Sequence, residues 1–280
     1  MPSVPSALQL LLFTTDRSFA QEAEAAGVNS VIVDWEQHGK TQRQNGYGTE
    51  INTDTPADVA RLASALSIPV TVRIDSARRR WDEAVACALD HGARRLMLPM
   101  AHTVADVDRF LAAVNGRAET IVQIETQSLV DQCADLRQLP WDHAYVGLND
   151  LMICRNGNWL WEPFLDGTAD RIFDQLQGRS VGIGGVTVVG GGAPIPFVAL
   201  LREMARLGCQ LSFLRRTFKR EIEDRRLEPE LRAVQAVWQA ACQRGPDSIQ
   251  QDHRRFQQLL RRLRPVAASA TSSRPAATSA

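Results

Sequence analysis

Apolar positions fall into eight short runs, each followed by a stretch in which apolar residues recur at helical spacing. The runs are LQLLLFT (8–14), SVIVDWE (30–36), PVTVRID (69–75), RRLMLPM (94–100), ETIVQIET (119–126), HAYVGLNDL (143–151), SVGIGGVTVVGG (180–191) and CQLSFLR (209–215). Most are apolar at consecutive positions, the pattern of parallel strands covered on both faces. Helix boundaries sit between them. Asp16 and Ser18 offer N-caps for a helix stopped by Gly27, and Thr55-Pro56 opens the next. Further helices are predicted up to about His91 with Gly92 as the stop, over 104–114 ended by Asn115-Gly116, near 128–137, and over 196–207.

Eight strand-helix units in strict alternation predict an α/β fold, a closed (β/α)8 TIM barrel. A doubly wound open sheet is the alternative, and it fits less well because no GxGxxG turn follows the first strand. The barrel is expected over residues 1–243, with charged helical sequence at 216–243, a C-terminal helix within 244–264, and a disordered Ala/Ser/Thr/Pro tail over 265–280. The arginines of 216–243 read either as a solvated face or as a surface that covers the barrel base or a second subunit.

Charge changes the picture by exclusion. The 32 basic and 32 acidic residues balance, so nothing global points to nucleic acid or to a membrane surface. Five scattered cysteines without a CxxC pair indicate neither a disulfide framework nor a zinc site. The N-terminal apolar run lacks a basic flank and is too short to span a bilayer, so a cytoplasmic protein is expected. Lys40 and Lys219 are the sole lysines. Neither falls on a strand, which argues against Schiff-base chemistry inside the barrel.

In such a barrel the site lies at the C-terminal ends of the strands. The polar residues expected there are Asp34 and Glu36, Arg73 and Asp75, Gln123 and Glu125, and Asn149 and Asp150. Carboxylates of this kind suit Mg2+ or Mn2+, and an arginine beside them suits the carboxylate of a 2-oxo acid. Taken singly, each of these side chains could equally be a salt-bridge partner or a loop anchor. His38, just past Glu36, is a candidate base or an exposed loop histidine. The glycines of 182–192 suit either an anion-binding backbone or a tight turn, and Trp159 and Trp161 suit either a wall over the site or an intersubunit contact.

The segments VDWE (33–36), VRI (72–74), MLPM (97–100), VQIET (122–126) and VGLNDL (146–151) resemble, in order and spacing, the landmarks of the HpcH/HpaI aldolase and citrate lyase beta-subunit family, part of the phosphoenolpyruvate/pyruvate barrel superfamily. The resemblance covers roughly residues 8–215. It implies Mg2+ or Mn2+ bound by Glu125 and Asp150, with Arg73 on the substrate carboxylate and enolate oxygen. Gln123, Gly147, Leu148 and Asn149 would line the substrate, while Asp34, Glu36 and His38 would manage protons. The implied activity is that of a metal-dependent carbon-carbon lyase of the class II aldolase type, working through a pyruvate-like enolate. The implied partners are a small 2-oxo acid or acyl thioester and further copies of the chain. A malyl- or citramalyl-CoA-type lyase, a thioesterase, or a non-catalytic barrel subunit are the alternatives. The chain departs from the family pattern where Gln37 separates Glu36 from His38, where Met100 replaces a frequent lysine, and where GLNDL replaces GPADL.

Overall fold

A computed structural model describes residues 7–37, 54–76 and 81–265. His38, Lys40 and most of the second loop lie outside the described residues, as does the tail beyond 265. Eight parallel strands close into one barrel in sequential order. They are β1 Gln9–Phe13, β2 Ser30–Asp34, β3 Val70–Arg73, β4 Arg95–Leu98, β5 Glu119–Ile124, β6 His143–Val146, β7 Ser180–Ile183 and β8 Leu211–Phe213. Every residue of β2 is buried, as a strand with the barrel axis on one face and helices on the other requires.

Alternation sorts each strand into an inward and an outward set. Leu11, Ile32, Met97, Ile121, Tyr145 and Leu211 fill the barrel, joined by the half-buried Phe13 and Phe213. The outward residues merge with the helices into a second, continuous core. The same parity puts Gln123 and Glu125 on the inward side with Ile121. It also puts Asp34 inward with Ile32.

The outer layer begins with α1 Arg17–Ala25, α2 Pro56–Ala63, α3 Trp81–Asp90 and α4 Val104–Val114. Asp16 caps α1 by accepting from the Phe19 N–H, and Thr103 with Asp106 forms a reciprocal capping box on α4. The helix expected near 128–137 is instead two short pieces, α5 Gln127–Val130 and α6 Cys133–Leu136. After β6 come α7 Leu148–Cys154, α8 Glu162–Leu165 and α9 Thr168–Gln175. Arg155 ties the connection between α7 and α9 together, with bonds to Gln127 (2.6 Å), Asp166 (3.1 Å) and Thr168 (2.9 Å).

The remaining helices are α10 Phe197–Leu207, α11 Arg216–Glu221, α12 Leu227–Cys242 and α13 Pro246–Leu263. The continuous helix expected over 216–243 breaks because Pro229 lacks an N–H and its ring would clash with the preceding turn, a fit only for the start of α12. Strand β7 likewise stops at Ile183, well short of 191, because Gly184 takes φ 89° and begins a turn. Helix α13 packs on α10 and α8, where Phe256 meets Phe164 edge to face at 5.7 Å. The buried Glu203 of α10 binds His253 of α13 at 2.9 Å and Arg206 at 2.8 Å. Among the described residues no helix is long and apolar enough to cross a membrane.

Candidate metal centre

Parallel register places the acids and the arginine side by side. Asp34 and Arg73 are direct partners in the β2–β3 ladder. Arg73 donates from Nε to Asp34 Oδ1 at 2.8 Å and from Nη2 to Oδ2 at 2.7 Å, a bidentate pair. Its Nη2 also lies 3.4 Å from Glu36 Oε2. The Glu36 N–H in turn donates to Asp34 Oδ1 at 3.1 Å. Nη1 of Arg73 has no hydrogen bond to the described residues. Burial opposes the guanidinium charge, but Asp34 and then Glu36 outweigh it and hold the Arg73 pKa above its ordinary value.

Glu125 stands one residue past β5 and is 1% exposed. Its Oε1 accepts the Met100 N–H at 2.8 Å, and its Oε2 accepts from Gln123 Nε2 at 3.1 Å. Met100 presents that N–H from a left-handed conformation, φ 52°. Across the β5–β6 pair, a Cβ on Gly147 would collide with Glu125 Oε2. Only glycine leaves that carboxylate its place. Asp150 is buried in the first turn of α7. It was expected at a strand end, but β6 stops at Val146, and the first helical turn after Gly147 carries the carboxylate instead. Leu148 and Asn149 share that turn.

Glu125 is held well above the ordinary carboxylate pKa, first by burial, then by the charges of Asp150 and Glu36. Arg73 and the Met100 N–H pull the other way without cancelling them. Asp34, Glu36 and Glu125 thus share one arginine, which is committed to Asp34, while Asp150 adds its charge at Glu125. Gln123 adds a further unmet demand, since its Oε1 is buried and accepts no hydrogen bond.

A hard divalent cation answers both demands. Mg2+ takes oxygen ligands, commonly one or two carboxylates with water and substrate oxygens completing the shell, and its water would donate to Gln123 Oε1. Among the described residues no three His, Cys, Asp or Glu side chains converge as a complete protein cage. The residues present fit an open two-carboxylate site.

The rest of the mouth is aromatic. Arg73 lies 5.1 Å from the Phe13 ring centroid, Phe13 meets Phe213 edge-on at 5.4 Å, and Phe213 stacks on Tyr145 at 3.8 Å. Tyr145 donates to the Gly184 carbonyl at 2.6 Å. Two residues beyond β8 stands Arg215, whose guanidinium carbon lies 5.9 Å from the Trp161 ring. The eighth apolar run ends at Arg215, which is not among the strand-end polar residues expected from the sequence. Following the inward parity of Leu211 and Phe213 two positions further would have found it. The Asp54 carboxylate, which accepts the Asp34 N–H at 2.8 Å, carries no such signal.

Other candidates resolve differently. Trp159 and Trp161 are 9% and 4% exposed and packed within the chain's own core, so they need no second subunit for burial. The glycines after β7 form a turn; Gly184 and Gly192 take φ 89° and 92°. Lys219 lies over Phe19 of α1, in the helical layer and not in the barrel.

No family model matches the sequence, and no curated protein matches it. Solved structures do resemble it in fold. A citrate lyase from Burkholderia xenovorans LB400 aligns with TM-score 0.59 at 15% identity, covering 94% of this chain and 92% of that one. CitE of Mycobacterium tuberculosis, solved with magnesium, acetoacetate and coenzyme A, aligns with TM-score 0.56 at 18% identity, covering 95% and 92%. Macrophomate synthase aligns with TM-score 0.52 at 16% identity, covering 75% and 78%. The closed barrel of this chain is therefore the fold of citrate lyase beta-subunit structures, the family its strand-end motifs resemble.

Proposed function

We propose that the chain is a divalent-metal-dependent carbon-carbon lyase of the aldolase type, acting on a 2-oxo acid through its enolate. The observation that carries this reading is the buried Glu125 with the charge of Asp150 close against it, beside the Arg73–Asp34 clamp in one barrel mouth. Glu125 and Asp150 would hold Mg2+ or Mn2+. When bound, the ion supplies Lewis-acid stabilisation of the negative charge that develops on the 2-oxo oxygen. A CitE structure of the same fold, 18% identical, was solved with magnesium and pyruvate, which supports the choice of ion and of substrate class.

The protein side chains divide the remaining work. Arg73 offers Nη1 to the substrate while Asp34 fixes the plane of the guanidinium, so the donor is in place before the enolate forms. In the cleavage direction the 4-hydroxyl loses a proton and becomes a carbonyl, the C3–C4 bond breaks, and its electron pair moves to C3, which is then protonated. Both Asp34 oxygens are committed to Arg73. Glu36, whose approach to Arg73 is the longer one, is therefore the better placed of the two acids to carry the proton. Gln123 and Met100 orient Glu125, and the Phe13–Phe213–Tyr145 series gives the substrate an apolar floor.

The test is exchange of the C3 protons of pyruvate into heavy water, which needs no carbonyl partner. Exchange dependent on Mg2+ or Mn2+ and abolished by EDTA is expected; metal-independent exchange, or none, would overturn the reading.

A further inference from the structure

The base of the barrel, opposite the candidate metal centre, carries its own polar set. Strands β4, β5, β6 and β7 begin with Arg95, Glu119, His143 and Ser180. The first three share the parity of the inward Met97, Ile121 and Tyr145, so they belong to the interior side of the barrel. Ser30 opens β2 with the parity of Ile32, and Thr71 stands level with Arg95 in the β3–β4 ladder.

One donor of this set is unanswered. Arg95 is 5% exposed, and its Nη1 is buried without a hydrogen bond. Its Nε and Nη2 both donate to a single oxygen, Oε2 of Glu119, at 2.8 and 2.5 Å, so the carboxylate serves one edge of the guanidinium. The pair is also uneven in depth, because the Glu119 side chain is 51% exposed. Water therefore screens the acid far more than the arginine, and the interior side of the guanidinium stays positive. A buried donor left in that state is costly.

The neighbouring hydroxyls do not answer it. Ser30 Oγ donates to the Pro69 carbonyl at 2.8 Å, so the 2.7 Å bond between Ser30 and Thr71 takes the Thr71 hydrogen. His143 is the other polar group at this end, with Nδ1 taken by Ser180 Oγ at 2.7 Å and Nε2 left for a ligand. Burial and then the charge of Arg95 push the His143 imidazole below its ordinary range, with Glu119 and Asp142 opposing, so Arg95 and His143 act on the same space.

We infer that the base of the barrel binds a small inorganic anion of the halide class at Arg95 Nη1, with His143 as its second polar neighbour. A halide suits this donor set better than phosphate or a carboxylate, since an oxyanion calls for several donors and the two hydroxyls have spent theirs. The anion would complete the neutralisation of a buried cation where β4 meets β5 and so stabilise the closed barrel. This site lies at the other end of the barrel from Glu125 and Arg73 and is independent of the lyase chemistry.

The experiment follows the broadening of the chloride NMR line by the full-length protein, with bromide as competitor. It is paired with melting temperatures in sodium chloride and in sodium gluconate, a bulky anion, at equal ionic strength. Wild type should broaden the line, bromide should reverse the broadening, and chloride should raise the melting temperature above that in gluconate. Arg95→Met, which keeps the stem and removes the charge, should bind chloride at least tenfold more weakly. Glu119→Gln keeps Arg95 and removes the competing carboxylate, so it should bind chloride more tightly; it decides the matter alone if Arg95→Met fails to fold. No bromide-reversible broadening by wild type, the result a bridging water would give, overturns the inference. So does equal chloride affinity in Arg95→Met, or an affinity in Glu119→Gln no higher than that of the wild type.

Discussion

Glu125 and Arg73 meet opposite electrostatic problems within one mouth. Arg73 is buried but doubly paired, so it keeps its charge; Glu125 is buried beside like charges, so without a cation it favours its proton. The sign for stability follows from linkage. A carboxylate whose folded pKa is raised stabilises the folded state below its ordinary value of 4.5 and loses that contribution as pH rises through the raised value. In metal-free protein at neutral pH, Glu125→Gln is therefore expected to raise the melting temperature, and the gain should shrink towards pH 4. The same variant should lose the thermal shift that Mg2+ gives the wild type; a variant still stabilised by Mg2+ would remove Glu125 from the ion's ligands. Arg73→Lys keeps a positive charge but cannot reproduce the two-point grip on Asp34. It should fold, with kcat/KM reduced roughly 100-fold, about the 2.7 kcal/mol that one positioned transition-state donor contributes. A loss below about fivefold would demote Arg73 to a structural role.

Two elements set the geometry of the proposed metal site, the turn from β4 to Met100 and the turn from β6 to α7. Gly147→Ala is the sharp test of the second, because its methyl group would enter the space of Glu125 Oε2. It should lower Mg2+ affinity at least tenfold while circular dichroism stays that of the wild type; unchanged affinity would mean the carboxylate has room to move. Helix α13 poses a different question. Phe256→Ala should cost about 3–5 kcal/mol, roughly 10 °C in melting temperature, if α13 is integral to the fold, since that ring is buried against Phe164. A loss under 2 °C would make α13 a dispensable addition. The strands were legible because burial on both faces forces long apolar runs, and their period of two already turned Gln123, Glu125, Asp34 and Arg73 inward. What was not legible were local breaks decided by single residues. Pro229 split α11 from α12, Gly184 ended β7, and Gly147 turned Asp150 from a strand end into a first helical turn. Arg215 does carry a sequence signal, since it lies two positions beyond the inward Phe213 and on the same face of its run.

At the scale of the whole molecule, closure of the barrel is what turns dispersed strand-end residues into one site. Asp34 and Glu125 are 91 positions apart in the chain, and Arg215 is another 90 along, yet β2, β5 and β8 end at the same rim. The barrel supplies a charge map with a crowded acidic side fit for a divalent ion, an aromatic floor, and an unpaired cation beyond it. In the proposed reaction such a map would hold a 2-oxo acid at the divalent ion, and proton removal at C3, next to the 2-oxo group, is the step that this chemistry requires. The measurement that tests this most directly is deuterium uptake at C3 of pyruvate, followed by proton NMR with and without Mg2+ in wild type, Glu125→Gln and Asp150→Asn. Uptake in the metal-loaded wild type alone is the predicted result, with both variants reduced at least 100-fold. Uptake that survives in either variant, or in EDTA, would contradict it.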